Sequence, residues 1–288
     1  MVAGAATTGS VRDALGGAVD ALRAVGVDSP RFDAELLLSE ATGWERARLA
    51  AEPENGVPPA AARRFGELVR RRLRREPVAY ILGRKGFRHI ELAVDRRVLI
   101  PRPETEMLVE LALELRPRRV LDIGTGSGAI ALAIADEIPE CEVVATDTSP
   151  AALEAARGNA ERLGLAKRVN FVEGMLPEAG PGGAGEGEME VFDLIVANLP
   201  YVAESEWGGL EPEVTEWEPG EALLAGPDGL DVIRAAIPVA AAATPTLALE
   251  VGAGQAAAVS ELLFEAGFAK VETRSDLAGI TRVVWARR

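Results

Sequence analysis

The stretch Val120-Leu121-Asp122-Ile123-Gly124-Thr125-Gly126-Ser127-Gly128-Ala129-Ile130-Ala131 decides the fold. It opens on apolar residues, as a buried parallel strand does, and closes on apolar residues at helical spacing. Three glycines in five residues join the two halves. Glycine permits positive φ and lets bare backbone approach a ligand, and a helix starting there aims its free N–H groups into the same space. Strand, glycine turn and helix N-terminus together predict a nucleotide-type site at the carboxyl edge of a sheet. Gly124, Gly126 and Ala129 also fit G-x-G-x-x-[GA], so a nicotinamide oxidoreductase stays open at this point.

Downstream, the helix is expected to run to about Glu137, and the strand Glu142-Val143-Val144-Ala145-Thr146 ends at Asp147. An acid 19 positions past Gly128 is where a carboxylate can take both ribose hydroxyls of a nucleoside. Asp147-Thr148-Ser149-Pro150 is also a helix start, and Ser149 can cap while Asp147 faces the cleft. A helix near 150–163 and a strand at 169–172 follow. Strand and helix patterns then alternate through 192–197, 229–240, 246–251, 254–266, 269–274 and 281–287. That rhythm predicts a doubly wound α/β domain. The glycine-rich insert at 179–187 reads as a flexible surface loop. The apolar run Phe192–Ala197 leads into Asn198-Leu199-Pro200-Tyr201, which brings an amide side chain, a rigid turn and one of only two tyrosines to the carboxyl edge.

Upstream, residues 1–78 read as a small helical domain for docking a substrate. Ser10, with Asp13 three residues on, can cap a helix to about Val25; Ser29-Pro30 starts a second that stops near Gly43; a third follows Pro58-Pro59 through Phe65 and Leu68 to about Arg75. Residues 79–100 read as a hairpin linker, with a short hairpin over Gly86–Val94. A catalytic domain is expected over 101–288. Leu99-Ile100-Pro101-Arg102-Pro103-Glu104-Thr105-Glu106 is a stiff, charged turn, read from spacing alone as a helix start with Thr105 or a neighbour as cap.

Composition narrows the function classes. The 288 residues, 48% hydrophobic and 26% charged, suit an ordinary globular protein of two domains. A net charge of −14 argues against an extended grip on nucleic acid. The charge is uneven: residues 61–100 hold twelve Lys/Arg against four acids, +8, so the remainder carries −22. This block is either a solvated face or a docking patch for an acidic macromolecule. With Cys141 and His89 as the only cysteine and histidine, no zinc site of the usual ligands and no internal disulfide is expected, and His89 reads as structural. No signal peptide or membrane span is indicated, which suggests the cytoplasm.

Asn-x-Pro-Tyr after the fourth strand, together with Asp122-Ile-Gly-Thr-Gly-Ser-Gly, resembles S-adenosylmethionine-dependent methyltransferases that act on planar amino or amide nitrogens. Pro77-Val78-Ala79-Tyr80-Ile81-Leu82-Gly83, the proline-arginine turn at 99–106 and Asp276-Leu277-Ala278-Gly279 narrow this further. Together they resemble the HemK (PrmC) family of peptide chain release factor glutamine methyltransferases over nearly the whole chain. The resemblance implies a Rossmann-like methyltransferase domain behind a small helical one. It implies that Gly124, Thr125, Gly126, Ser127 and Gly128 hold the methionine end of S-adenosylmethionine, that Asp147 takes its ribose, and that Asn198, Leu199, Pro200 and Tyr201 hold the substrate glutamine. Asn198 thereby also faces the cofactor, which leaves as S-adenosylhomocysteine. Two positions depart from the family pattern. Leu199 stands where a second proline is usual, and its implied role, a backbone carbonyl acceptor, survives the change. Glu173-Gly174-Met175-Leu176 replaces an acid and an aromatic, so the adenine is expected against Met175 and Leu176 through apolar and main-chain contact.

The implied acceptor is the glutamine of the Gly-Gly-Gln segment of class 1 release factors, with a role in translation termination. The readings weighed against it are a glutamine on another protein such as a ribosomal protein, an exocyclic base amine flipped out of nucleic acid, the nicotinamide enzyme, and a non-catalytic binding protein that kept the fold.

Overall fold

A computed structural model describes residues 9–175 and 191–288, and its backbone divides into two units. The first runs to Gly83 and also takes in Pro212–Trp217; the second holds Arg84–Glu211 and Glu218–Arg288. The segment expected as a linker, 79–100, is thus split. Its start is helical and belongs to the first unit, while the hairpin belongs to the second. The insert at 179–187 and Leu176 lie outside the described residues.

In the first unit, α1 (Val11–Ala24) starts where Ser10 Oγ accepts from the Asp13 N–H at 3.1 Å and the Asp13 carboxylate accepts from the Ser10 N–H at 3.2 Å. This reciprocal box satisfies two donors that a helix end would otherwise leave bare. α2 (Pro30–Thr42) begins on its proline, with no cap from the Ser29 side chain, and Gly43 ends it at φ 69°. Two short helices, α3 (Arg46–Ala51) and α5 (Val78–Leu82), carry too little periodicity to be read in advance. α4 (Pro59–Arg72) buries Ala61, Phe65 and Leu68 on one face. It ends at Arg72, three residues short of the expected stop, because Arg75 adopts φ 61°. Arg72 is itself buried, with Nε 2.6 Å from Asp33 and Nη2 2.5 Å from Glu213 of the short helix α9 (Pro212–Thr215); Arg75 reaches the same carboxylate at 2.5 Å. A buried guanidinium is tolerable only with such partners.

The basic block is mostly spent on ion pairs of this kind. Arg71 pairs with Glu76, Arg88 with Glu137 and Arg97 with Asp95. Arg63, Arg70 and Arg74, at helical spacing along α4 and the turn after it, stay exposed.

In the second unit, the antiparallel hairpin β1 (Arg84–Phe87) and β2 (Ile90–Ala93) precedes one 3-10 turn, Pro103–Thr105, and α6 (Glu106–Leu115). His89 is exposed in the hairpin turn, 3.7 Å from Glu137. The deciding stretch forms β3 (Arg119–Ile123) and α7 (Ala129–Glu137). Then come β4 (Glu142–Asp147), α8 (Pro150–Arg162), β5 (Val169–Glu173), β6 (Leu194–Ala197), α10 (Asp231–Ala243), β7 (Thr246–Glu250), α11 (Ala256–Glu265), β8 (Lys270–Ser275) and β9 (Thr281–Arg287). The sheet order is β5-β4-β3-β6-β7-β9-β8. Ile233 and Ile237 of α10 and Val259 and Leu263 of α11 pack on Ile195, Leu247 and Leu249 in the core.

The sheet is mixed, where alternation alone suggested parallel strands throughout: β9 runs antiparallel to β7 and β8. Only five residues join β8 to β9, enough for a hairpin and too few for a parallel crossover. The chain winds outward from β3 through β4 to β5, then returns to place β6 on the other side of β3. That reversal opens a crevice at the carboxyl ends of β3 and β6. Ile123 pairs with Ala197, so Gly124 and Asn198 leave the sheet side by side.

Candidate active site

The glycine turn is held from beneath by Asp122, which is fully buried. One carboxylate oxygen accepts from Thr125 Oγ1 at 2.7 Å and from the Ala131 N–H at 3.2 Å. Burial raises its pKa to about 7, against the pull of those two donors and with the help of nearby Asp147. Gly128 sits at φ 84°, and a Cβ there would stand 2.8 Å from Leu132 Cδ1 and 3.3 Å from Ala156 Cβ, so this glycine serves close packing of the turn on α7 and α8. Gly126, at φ 56°, has nothing within 4 Å of a would-be Cβ. A side chain there would be strained and would fill open space.

That open space is part of a cleft of about 530 Å³. Of the residues singled out in the sequence, Gly124, Gly126, Asp147, Met175, Asn198, Leu199 and Pro200 line it. Arg97 and Val98, just ahead of the proline-arginine turn, and Leu99, its first residue, line it too. Thr125 and Ser127 are buried and do not line it, because Thr125 turns to Asp122 and the Ser127 carbonyl accepts from Asn159 Nδ2 at 2.8 Å. Gly128, held in packing, does not line it either. Tyr201 is not among the lining residues; its hydroxyl donates to Glu250 Oε1 at 3.3 Å, and its carbonyl accepts from Gln255 Nε2 at 2.8 Å. Burial, followed by the Glu250 charge, raises the Tyr201 pKa, so the phenol stays protonated.

Asp147 accepts from the Gly126 N–H at 2.9 Å through Oδ2 and from the Ser149 N–H at 2.9 Å through Oδ1. Each oxygen keeps a lone pair for a further donor in the cleft. Ser149 also caps α8, its hydroxyl accepting from the Ala152 N–H at 3.3 Å, so the cap and the cleft-facing carboxylate coexist. Opposite, Asn198 Nδ2 donates to Thr105 Oγ1 at 3.0 Å. Neither Asn198 Oδ1 nor the Leu199 carbonyl accepts a hydrogen bond from any other described residue. Both residues line the cleft. Thr105 takes the N-cap position of α6 as expected, without a side-chain cap bond; its hydroxyl accepts from Asn198.

Family models match the chain twice: a PrmC N-terminal domain over residues 13–83 and a methyltransferase domain over 120–216. A release factor glutamine methyltransferase of Cereibacter sphaeroides is 42% identical over 278 residues, 96% of this chain and 97% of that protein. Its counterpart in Moorella thermoacetica is 42% identical over 289 residues, 97% of this chain and 99% of that protein. This chain belongs to the release factor glutamine methyltransferase family. Among solved structures, the hMettl16 catalytic domain in complex with MAT2A 3'UTR hairpin 6 superposes with a TM-score of 0.54 at 17% identity, over 68% of this chain and 74% of that one, a likeness of fold.

Membership in the release factor glutamine methyltransferases replaces the nicotinamide reading that Gly124, Gly126 and Ala129 left open. Four supporting residues of this family member were not read as such in the sequence. Glu218 is buried and accepts from the Ile100 N–H at 2.9 Å and from Arg102 Nη2 at 2.5 Å, which holds the proline-arginine turn. Asn159 Oδ1 accepts from the Ala93 N–H at 2.7 Å, while its Nδ2 serves the glycine turn. Neither has a local signal, because both partners are distant in sequence. Thr105 was read for another role. Glu250 did carry a signal: like Asp147, it is an acid that closes an apolar parallel strand at the carboxyl edge.

Proposed function

We propose that this chain transfers a methyl group from S-adenosylmethionine to the side-chain amide nitrogen (N5) of the glutamine in the Gly-Gly-Gln segment of class 1 peptide chain release factors, and that it does so in the cytoplasm. The observation that carries this reading is the pair of unpartnered acceptors, Asn198 Oδ1 and the Leu199 carbonyl, in the same cleft as Asp147 and the glycine turn. The names of the relatives supply the acceptor class.

The residues present suit the donor. Asp147 offers lone pairs to a ribose, Gly126 leaves bare backbone at the wall, and Met175 gives an apolar surface for a purine. Leu176, the other adenine contact expected, lies outside the described residues. When bound, S-adenosylmethionine supplies an electrophilic methyl on a sulfonium.

A primary amide nitrogen is a weak nucleophile, because its lone pair is shared with the carbonyl. Asn198 Oδ1 and the Leu199 carbonyl accept its two N–H groups, fixing the nitrogen and stabilising the positive charge that develops there. Pro200 keeps the turn rigid, so the acceptors need no reorganisation during transfer. Positioning would supply much of the rate, since a nitrogen already fixed in near-attack geometry replaces an unfavourable encounter. The surplus proton leaves to water once the C–N bond has formed.

In the helical unit, exposed Arg63, Arg70 and Arg74 are the part of the basic block left to meet an acidic surface of the release factor. Asn198→Ala is expected to lower kcat by about 10²–10³-fold, as for loss of one preorganised partner, with donor affinity by calorimetry unchanged. Unchanged turnover would remove Asn198 from the reaction.

A further inference from the structure

An asparagine amide has the same shape with its oxygen and nitrogen exchanged, so packing does not choose between them; the hydrogen-bond network does. Only one orientation gives Asn198 an acceptor toward the cleft. The other would set an NH₂ against the substrate's NH₂. What fixes that choice lies beyond the cleft wall.

Asn198 Nδ2 points to Thr105 Oγ1, a hydroxyl only 3% exposed. A hydroxyl that accepts from Asn198 must send its own hydrogen elsewhere. Ala197 pairs with Leu249 in the sheet, so the next residues, Asn198 and Glu250, leave adjacent strand ends together. Glu250 is 2% exposed; Oε1 accepts from Tyr201 and Oε2 has no partner among the described residues. We propose that Glu250 and Thr105 are positioning residues: the Glu250 carboxylate draws the Thr105 hydroxyl hydrogen, Thr105 can then only accept from Asn198, and the Asn198 oxygen is thereby aimed at the substrate amide. This rests on the reading that Asn198 Oδ1 grips that amide.

The arrangement implies a pH dependence. The charged or titratable groups facing Glu250 are Tyr201, Glu104 and Arg282, the last paired with Asp276. Burial raises Glu250 to about 7, with Glu104 adding to the rise, while the Thr105 and Tyr201 hydroxyls and Arg282 oppose it. A protonated Glu250 no longer needs the Thr105 hydrogen, which is then free to turn toward Asn198 and let the amide reverse. Turnover therefore falls as pH drops through about 7.

The test compares Thr105→Val, Thr105→Ser, Glu250→Gln and Asn198→Ala in the full chain, with S-adenosylmethionine and a purified release factor as substrates. Thr105→Val is expected to lose about 10- to 100-fold in kcat, the scale of a misplaced catalytic group, with donor affinity and thermal midpoint retained. Thr105→Ser, which keeps the hydroxyl, is expected to restore kcat to within about threefold, on the same scale of misplacement. Glu250→Gln is expected to abolish the acid limb near neutrality. Wild-type kcat in Thr105→Val, a loss that serine does not rescue, or an acid limb that survives Glu250→Gln would each overturn the inference. Those outcomes are separable from failure of the underlying reading, which shows as wild-type turnover in Asn198→Ala.

Discussion

At the scale of single residues, two buried carboxyls, Asp122 and Glu250, are raised to a pKa of about 7 by burial. Both keep their protons in the folded chain at pH values where the unfolded chain has lost them. The native state then binds more protons, so this contribution to stability is greatest in acid and declines as pH rises from about 4 to about 7. Asp122→Asn is expected to flatten that decline, seen as a urea midpoint less dependent on pH; an unaltered slope would show that Asp122 does not titrate there. That Asp147 and Asn198 reach the cleft was legible in the sequence, because each sits at a fixed offset from a strand that reads clearly. Thr105 does sit at the N-cap of α6, as a threonine before a helix signals, but nothing local reveals its hydrogen-bond partner 93 positions away. The same limit explains Thr125, Ser127 and Gly128: a glycine-rich turn announces a ligand, but which of its residues face outward depends on Asp122 and Asn159 beneath it.

At the scale of elements, long apolar patterns with clear ends were readable, and α7, α8, β3 and β4 lie where their patterns put them. The five-residue helix α5 and the direction of β9 were not, because one depends on packing and the other on pairing with strands far away in sequence. The basic block shows the same division. Its charge was visible, but not that Arg71, Arg72, Arg75, Arg88 and Arg97 are bound to acids, Arg72 and Arg75 to Glu213 from beyond residue 200. Reversing Arg71 would therefore test stability rather than docking. Arg63→Glu, Arg70→Glu and Arg74→Glu together leave those pairs intact. Their expected effect is a kcat/KM for release factor lower by about tenfold or more at low salt, shrinking as salt rises, with kcat unchanged. Salt-independent, wild-type kcat/KM in that variant would relieve this face of any docking role.

At the scale of the molecule, the chain is strongly acidic overall and opens a cleft at the edge of one sheet. No helix among the described residues is long and apolar enough to cross a membrane, and no group of three or more His, Cys, Asp or Glu there could hold a metal ion. What the chain does present is a cleft lined by Gly124 and Gly126 of the glycine turn, by Asp147, and by Asn198 and Leu199. The most direct measurement is to incubate the full chain with labelled S-adenosylmethionine and a purified class 1 release factor, then map the label by peptide mass spectrometry. One added methyl on the side-chain amide of the Gly-Gly-Gln glutamine, absent with Asn198→Ala, is the expected result. Label on any other residue, or none on the release factor while the chain binds the donor, would contradict it.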